Sequence, residues 1–171
     1  HEDRLALAYQ PKFRLADDSL AGVEALARWH DPDHGDVPPS SFIGMAEESG
    51  LIVELGEWVI RQACRQQRTW LDAGFTTSIA INVSGKELLH GDPAGALEIA
   101  LAEFRVPGNL VEVEITESVL VKDSAVVRRT LERFRRLGCR IALDDFGTGY
   151  SSLAYITRFP PDRIKIDRAF V

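Results

Sequence analysis

Asp144 and Asp145 stand side by side at the end of an apolar run, Ile141-Ala-Leu-Asp-Asp145, and the same grammar recurs along the chain. Glu24 sits in Gly22-Val-Glu-Ala-Leu26, Asn82 in Ile79-Ala-Ile-Asn-Val83, and Glu114 in Val111-Glu-Val-Glu-Ile-Thr116. Oxygen ligands gathered at one point repel each other unless a cation lies among them. A donor set of oxygens alone, with no His or Cys beside it, suits Mg²⁺ or Mn²⁺ and not Zn²⁺. Asp145 is placed to bridge to a second ion, and paired metals ~3.5–4 Å apart are the usual apparatus of phosphodiester cleavage. Lys165, near the end of Arg163-Ile-Lys-Ile166, adds a positive charge suited to a phosphoryl oxygen or an attacking water.

Each of these residues also has a plainer reading. A strand-end acid often caps the next helix or bonds a loop, Asp144-Asp145 could cap a helix after Gly147, and Lys165 could be a solvated edge charge. Four strands ending alike favour the metal, because a cap does not require an acid embedded in an apolar strand. His1, His30, His34 and His90 lie in polar loops or at the terminus and read as surface residues. Trp58 and Trp70 read as core. Arg133, Arg135 and Arg136 share a helix with Glu132 and read as a solvated face, not a nucleic-acid patch.

The elements that position these residues alternate between short β-branched runs and longer helical patterns. Strands are predicted over residues 4–10, 20–28, 77–83, 110–116, 140–143 and 163–166, with a turn at Ala16-Asp-Asp18. Helices are predicted over 40–48, from Leu51 to Gly74, over 93–105, from Val126 to Gly138, and around 152–159. Strand–helix alternation implies a parallel sheet with helical crossovers. The intervals from Asn82 to Glu114 and from Glu114 to Asp144 each suit one βα unit, in an open sheet or in a barrel. No glycine-rich phosphate fingerprint follows the first strand, which favours a TIM-type barrel, although about six strands are visible where closure takes eight. In a barrel the strand ends meet on one face, where active sites are built.

At 171 residues, 45% hydrophobic and 27% charged, the chain has room for one domain with a real core. Its net charge of −6 gives no general attraction to nucleic acid or anionic lipid, so a phosphate ligand needs local help. Cys64 and Cys139 sit inside apolar patterns without a CxxC, which points away from disulfides and structural zinc and towards a reducing compartment. No apolar run approaches the ~20 residues of a membrane span. The sequence opens on His1 and is expected to be a piece of a longer chain.

Six ordered blocks carry a resemblance: Tyr9-Gln-Pro11, Glu24-Ala-Leu-Ala-Arg-Trp29, Asn82-Val-Ser84, Glu114-Ile-Thr-Glu117, Asp144-Asp-Phe-Gly-Thr-Gly-Tyr-Ser-Ser-Leu153 and Lys165-Ile-Asp-Arg168. Together they resemble the EAL domain family, from about residue 5 to the end. The resemblance implies an α/β fold, a TIM-type (β/α) barrel here lacking its last strands. It implies hydrolysis of cyclic-di-GMP to linear pGpG with two Mg²⁺ or Mn²⁺ ions. By motif, Glu24, Asn82, Glu114 and Asp144 would hold the first ion and Asp145 the second. Lys165 would contact the water or phosphate, with Asp167 beside it. Gln10, Leu26 and Arg28 would hold the dinucleotide, Arg28 through a phosphate oxygen. Glu117 would anchor the loop after Asp144-Asp145 and tie the metal site to a dimer interface.

Implied partners are cyclic-di-GMP, a second copy in a homodimer, and sensory or GGDEF-type domains in the parent protein, located in the cytoplasm or at the cytoplasmic face of a membrane. No nucleic-acid polymer and no membrane contact are implied for this domain. Residues 1–171 would make up the N-terminal part, about three quarters, of the family's barrel. The family's Ala-Glu-Gly-Val-Glu block lies beyond them, so hydrolysis is expected of the parent protein. Glu87 stands where the family usually has Gln, and Gly44 where Pro is common. The alternative reading is a non-catalytic cyclic-di-GMP receptor, which the presence of all five metal-ligand candidates disfavours; a pure dimerisation module acting through residues 146–153 is weaker still.

Overall fold

A computed structural model describes residues 4–121, 125–147 and 159–170. Strands β1 (Leu5–Phe13) and β2 (Leu20–Asp31) form an antiparallel hairpin, and β3 (Gly35–Val37) folds back on the far end of β2. There follow α1 (Pro39–Ser49), α2 (Ile52–Asp72), β4 (Ile79–Asn82), α3 (Gly85–His90), α4 (Pro93–Phe104), β5 (Val111–Thr116), α5 (Glu117–Val121), α6 (Ala125–Arg136), β6 (Arg140–Phe146) and β7 (Arg163–Ile166). The strand order is β1-β2-β4-β5-β6-β7, and every pairing from β2 to β7 along that path is parallel.

Period-two alternation divides each strand between two environments. Val23, Ala25, Ile79, Ile81, Val111, Val113, Ile115, Ile141 and Leu143 are buried in one core with Ile60 and Cys64 of α2, Leu97 and Leu101 of α4, and Leu131 and Phe134 of α6. Each fully buried aliphatic or aromatic side chain is worth about 1.5–3 kcal/mol, so this layer fixes which way every strand faces. The residues between them, Glu24, Asn82, Glu114 and Asp144, must then face the other side.

That side is the inside of a curved sheet. Lys165 on β7 hydrogen-bonds Glu24 on β2 at 3.2 Å. In a flat sheet those strands, four spacings of ~4.8 Å apart, would be separated by about 19 Å. Only barrel curvature closes the gap. The barrel expectation therefore stands, with corrections to its parts. β1 runs antiparallel, because the connection from Phe13 to Leu20 is too short for a crossover. β3, α3 and α5 come in addition to the predicted elements. Glu24 does not end its strand: β2 continues to Asp31 to pair β3, although its parallel pairing with β4 ends at Ala25. Trp58 and Trp70 are only half-buried, Trp70 edge-on to Tyr9 at 5.0 Å, while the fully buried face of α2 carries Ile60, Ala63 and Cys64. The helix expected around 152–159 falls almost wholly outside the described residues.

Helix α3 exists through its cap. Ser84 Oγ accepts the Glu87 N–H at 3.2 Å, and Glu87 Oε2 accepts the Ser84 N–H at 2.8 Å, a reciprocal capping box. Glu87 is 4% exposed and lies against Gly56 of α2, where a Cβ would stand 1.7 Å from Oε1. Burial pushes the Glu87 carboxyl up from 4.5 to about 7, against the two Ser84 bonds and with some help from Glu47. The unfolded chain ionises first, so stability falls as pH rises from about 4.5 to 7 and is level above that, a loss of about 3 kcal/mol. Glu87→Gln should therefore raise the melting temperature at pH 8 and leave it unchanged at pH 4, as read by circular dichroism. An equal shift at both pH values would refute this account.

Candidate active site

The inward-facing polar residues meet around one ammonium group. Lys165 Nζ lies 3.2 Å from Glu24 Oε2, 2.5 Å from Glu114 Oε2 and 2.7 Å from Asp144 Oδ2. Donor oxygens of Glu24, Glu114 and Asp144 all lie within 4.8 Å of one another. Asn82 joins them by donating from Nδ2 to Glu24 Oε1 at 2.9 Å. These residues come from β2, β4, β5, β6 and β7, so no two are local in sequence. Burial raises the Glu114 carboxyl and is opposed by Lys165 and Lys12. For Lys165 burial acts downward, but the bonds to Asp144 and Glu114 outweigh it and hold the ammonium above its ordinary range.

Asp145 sits on a distortion. The β6–β7 register shifts between Leu143 and Phe146, and Asp145 adopts φ +52°, a left-handed conformation that Asp tolerates. The bulge turns two successive carboxyls towards the site. Asp144 Oδ1 accepts the Asp145 N–H at 2.9 Å. The Asp145 carboxyl is raised by burial first and then by Asp144 and Asp167, and it shares a side-chain hydrogen bond with Asp167.

A cleft of about 790 Å³ opens beside the cluster, walled by Ile43 of α1, Leu55 and Val59 of α2 and Leu89 of α3. Leu26, Arg28, Asn82, Glu114 and Asp145 line it. Arg28 is exposed there, with Nη1 on its neighbour's carbonyl, Ala27 O, at 2.9 Å. Gln10 is exposed on β1, opposite Glu24 in register, and is not part of the cleft lining. Glu117 is 8% exposed and its Oε2 accepts the Gly147 N–H at 3.3 Å, directly after the Asp144-Asp145 bulge.

Sequence reasoning missed a second polar layer beneath the first. Lys12, Glu112 and Arg163 meet there, with Lys12 Nζ 2.9 Å and Arg163 Nη1 3.0 Å from Glu112 Oε1. The signal was present: Lys12 follows Gln10, Glu112 precedes Glu114 and Arg163 precedes Lys165, each by two residues on a strand.

An all-oxygen set of three carboxylates drawn around one positive charge fits a hard divalent cation. The EAL domain family matches residues 1–171, the whole chain. The chain belongs to the EAL domain family. It is 43% identical over 169 residues to the signaling protein YkoW of Bacillus subtilis, covering 99% of this chain and 21% of that protein. It is likewise 43% identical over 169 residues to the cyclic di-GMP phosphodiesterase PdeR of Escherichia coli, covering 99% of this chain and 25% of that protein. Among solved structures, the PaMucR phosphodiesterase in its c-di-GMP complex superposes with a TM-score of 0.93 at 42% identity, covering 99% of this chain and 69% of that one. The chain thus spans a quarter or less of the length of these curated relatives. In this EAL domain the naming tripeptide shows the alternation plainly. Glu24 faces the cluster, Ala25 is 3% exposed in register with Ile81 under the helices, and Leu26 lines the cleft. Among the described residues no helix is long and apolar enough to cross a membrane.

Proposed function

We propose that the protein containing this domain hydrolyses cyclic-di-GMP to linear pGpG. The observation that carries the proposal is the convergence of Glu24, Glu114 and Asp144 on one cation, here the Lys165 ammonium, at the mouth of a cleft of about 790 Å³. In this reading Glu24, Asn82, Glu114 and Asp144 hold a first Mg²⁺ or Mn²⁺, and Asp145 a second. When bound, the two ions supply positive charge at the scissile phosphate and lower the pKa of water towards about 7. Lys165, whose ammonium is held above its ordinary range by its bonds to Asp144 and Glu114, would serve as a hydrogen-bond donor to phosphoryl oxygen or water. Arg28 reaches into the cleft with a planar fork suited to a phosphate oxygen. Leu26 and Gln10 flank the dinucleotide, and Asp167 steadies Asp145. Glu117 holds the backbone beyond the bulge, which fixes where Asp145 points.

The relatives named as phosphodiesterases and the c-di-GMP complex of PaMucR support the choice of substrate. A relative described as a bifunctional diguanylate cyclase/cyclic di-GMP phosphodiesterase, MucR of Pseudomonas aeruginosa, supports a multidomain parent. We further propose a homodimer in the cytoplasm or at its membrane face, linked to the site through the loop that Glu117 anchors.

The intact natural protein, stripped with EDTA and reloaded with Mn²⁺, is expected to convert cyclic-di-GMP to pGpG, read by chromatography, and to stop when the chelator returns. No product anywhere from about pH 7 to 9, where a metal-lowered water would be ionised, overturns the enzymatic reading. Tight metal-free binding without product would favour the receptor instead.

A further inference from the structure

Every carboxylate of the cluster has one oxygen tied back and one oxygen facing Lys165. Glu24 Oε1 accepts from Asn82 at 2.9 Å and Asp144 Oδ1 from the Asp145 N–H at 2.9 Å, both within the motif residues themselves. Glu114 Oε1 accepts from Lys12 Nζ at 3.0 Å, a donor that comes from β1 across the barrel. The remaining oxygens, Glu24 Oε2, Glu114 Oε2 and Asp144 Oδ2, converge on Lys165.

We infer that Lys12 is a positioning residue of the metal site, restricting Glu114 to one ligating oxygen and so setting the site's preference among divalent cations. The inference rests on the metal-site reading above and adds a residue to it. Lys12 is well seated for the task. Its ammonium also bonds Glu112 Oε1 at 2.9 Å, and Glu112, 1% exposed, is held in turn by Arg163 at 3.0 Å. The Lys12 stem passes Gly22 at van der Waals distance, an added Cβ there standing 3.8 Å from Cε. Without Lys12 the Glu114 carboxylate, wholly buried, would be free to rotate and present both oxygens.

The cations differ in what they ask of a carboxylate. Mg²⁺ and its like take one oxygen from each in tight octahedral geometry, whereas Ca²⁺ takes about 6–8 oxygens and often both from one carboxylate. A one-oxygen Glu114 therefore favours the smaller ion. Lys12 also repels any cation, but equally for two ions of the same charge. The affinity ratio thus isolates the positioning effect from the charge effect.

The test uses the intact natural protein, freed of metal, titrated with Mn²⁺ by electron paramagnetic resonance and with Ca²⁺ by competition. Lys12→Met is expected to lower the preference for Mn²⁺ over Ca²⁺ by about tenfold or more, as loss of an outer-shell partner commonly does. Lys12→Arg, which keeps a donor, should stay within about threefold of the parent ratio. If Lys12→Met does not fold, Glu112→Gln, which loosens the seat of Lys12 without touching Glu114, should shift the ratio in the same direction. An unchanged or increased preference for Mn²⁺ in the folded variant overturns the inference. A parent protein that binds neither ion overturns the metal-site reading itself, and the inference with it.

Discussion

Replacing Asp144 by alanine should lower kcat for cyclic-di-GMP by more than about a thousandfold while leaving KM within a few-fold of the parent value. Asp144 makes two distinct contributions. Its Oδ2 faces Lys165 at 2.7 Å as part of the cation-holding cluster, and its Oδ1 takes the N–H of Asp145 at 2.9 Å. Alanine removes both, so the charge of the site falls and the left-handed Asp145 loses its local support. Asparagine separates them: it keeps an oxygen for the Asp145 N–H and loses only the charge. Asp144→Asn should therefore melt like the parent and still lack turnover. Substrate binding through the cleft wall at Leu26 and Arg28 does not pass through Asp144, which is why KM should hold. A kcat near the parent value in either variant would remove Asp144 from the metal site.

The acids were legible because they break a strong pattern. A carboxylate between β-branched residues, as Glu114 between Val113 and Ile115, cannot face the helices that bury its neighbours. Glu24, Asn82, Asp144 and Lys165 follow from the same rule. What the pattern does not encode is distance around the barrel. Whether β7 meets β2 depends on curvature, which no single strand carries, and the Lys165–Glu24 bond is its product. Lys12 is easily missed for a related reason, although its two-residue spacing from Gln10 is there to read. On β1 it lies between Pro11 and Phe13, and a lysine there reads as the solvent face of an outer strand until the sheet curls over it. The short elements escaped differently. Helix α3 has only six residues and no apolar period to detect, although its Ser84-x-x-Glu87 box was visible. α5 begins directly at Glu117, with no breaker after β5 to announce it.

The second large effect concerns Lys165, whose charge does for the metal-free protein what a divalent cation would do for the loaded one. Three carboxylates with donor oxygens within 4.8 Å of one another repel by roughly 3 kcal/mol per pair at an effective dielectric of about 20. Lys165→Met removes the one charge that, among the described residues, bonds all three. Its side chain is 24% exposed, so water and small movements relieve part of the repulsion, and a net loss of about 2–3 kcal/mol is expected. For a domain of this size that lowers the melting temperature by roughly 5–10 °C. The sign of the pH dependence follows. Burial already raises the Glu114 carboxyl and Lys165 opposes it, so without the ammonium that carboxyl rises further, and the deficit is small at about pH 4 and grows as pH rises towards 8. Mn²⁺ should then stabilise Lys165→Met more than it stabilises the parent, because no ammonium competes for the same oxygens. Hydrolysis should fall by about a hundredfold or more even at saturating metal, since the donor to phosphoryl oxygen or water is gone. Melting curves of parent and variant in EDTA and in Mn²⁺, each at pH 4 and pH 8, decide it. Coincident curves in EDTA at pH 8 would show that the carboxylates do not need the ammonium, and a deficit that Mn²⁺ leaves untouched would take the cluster out of metal binding.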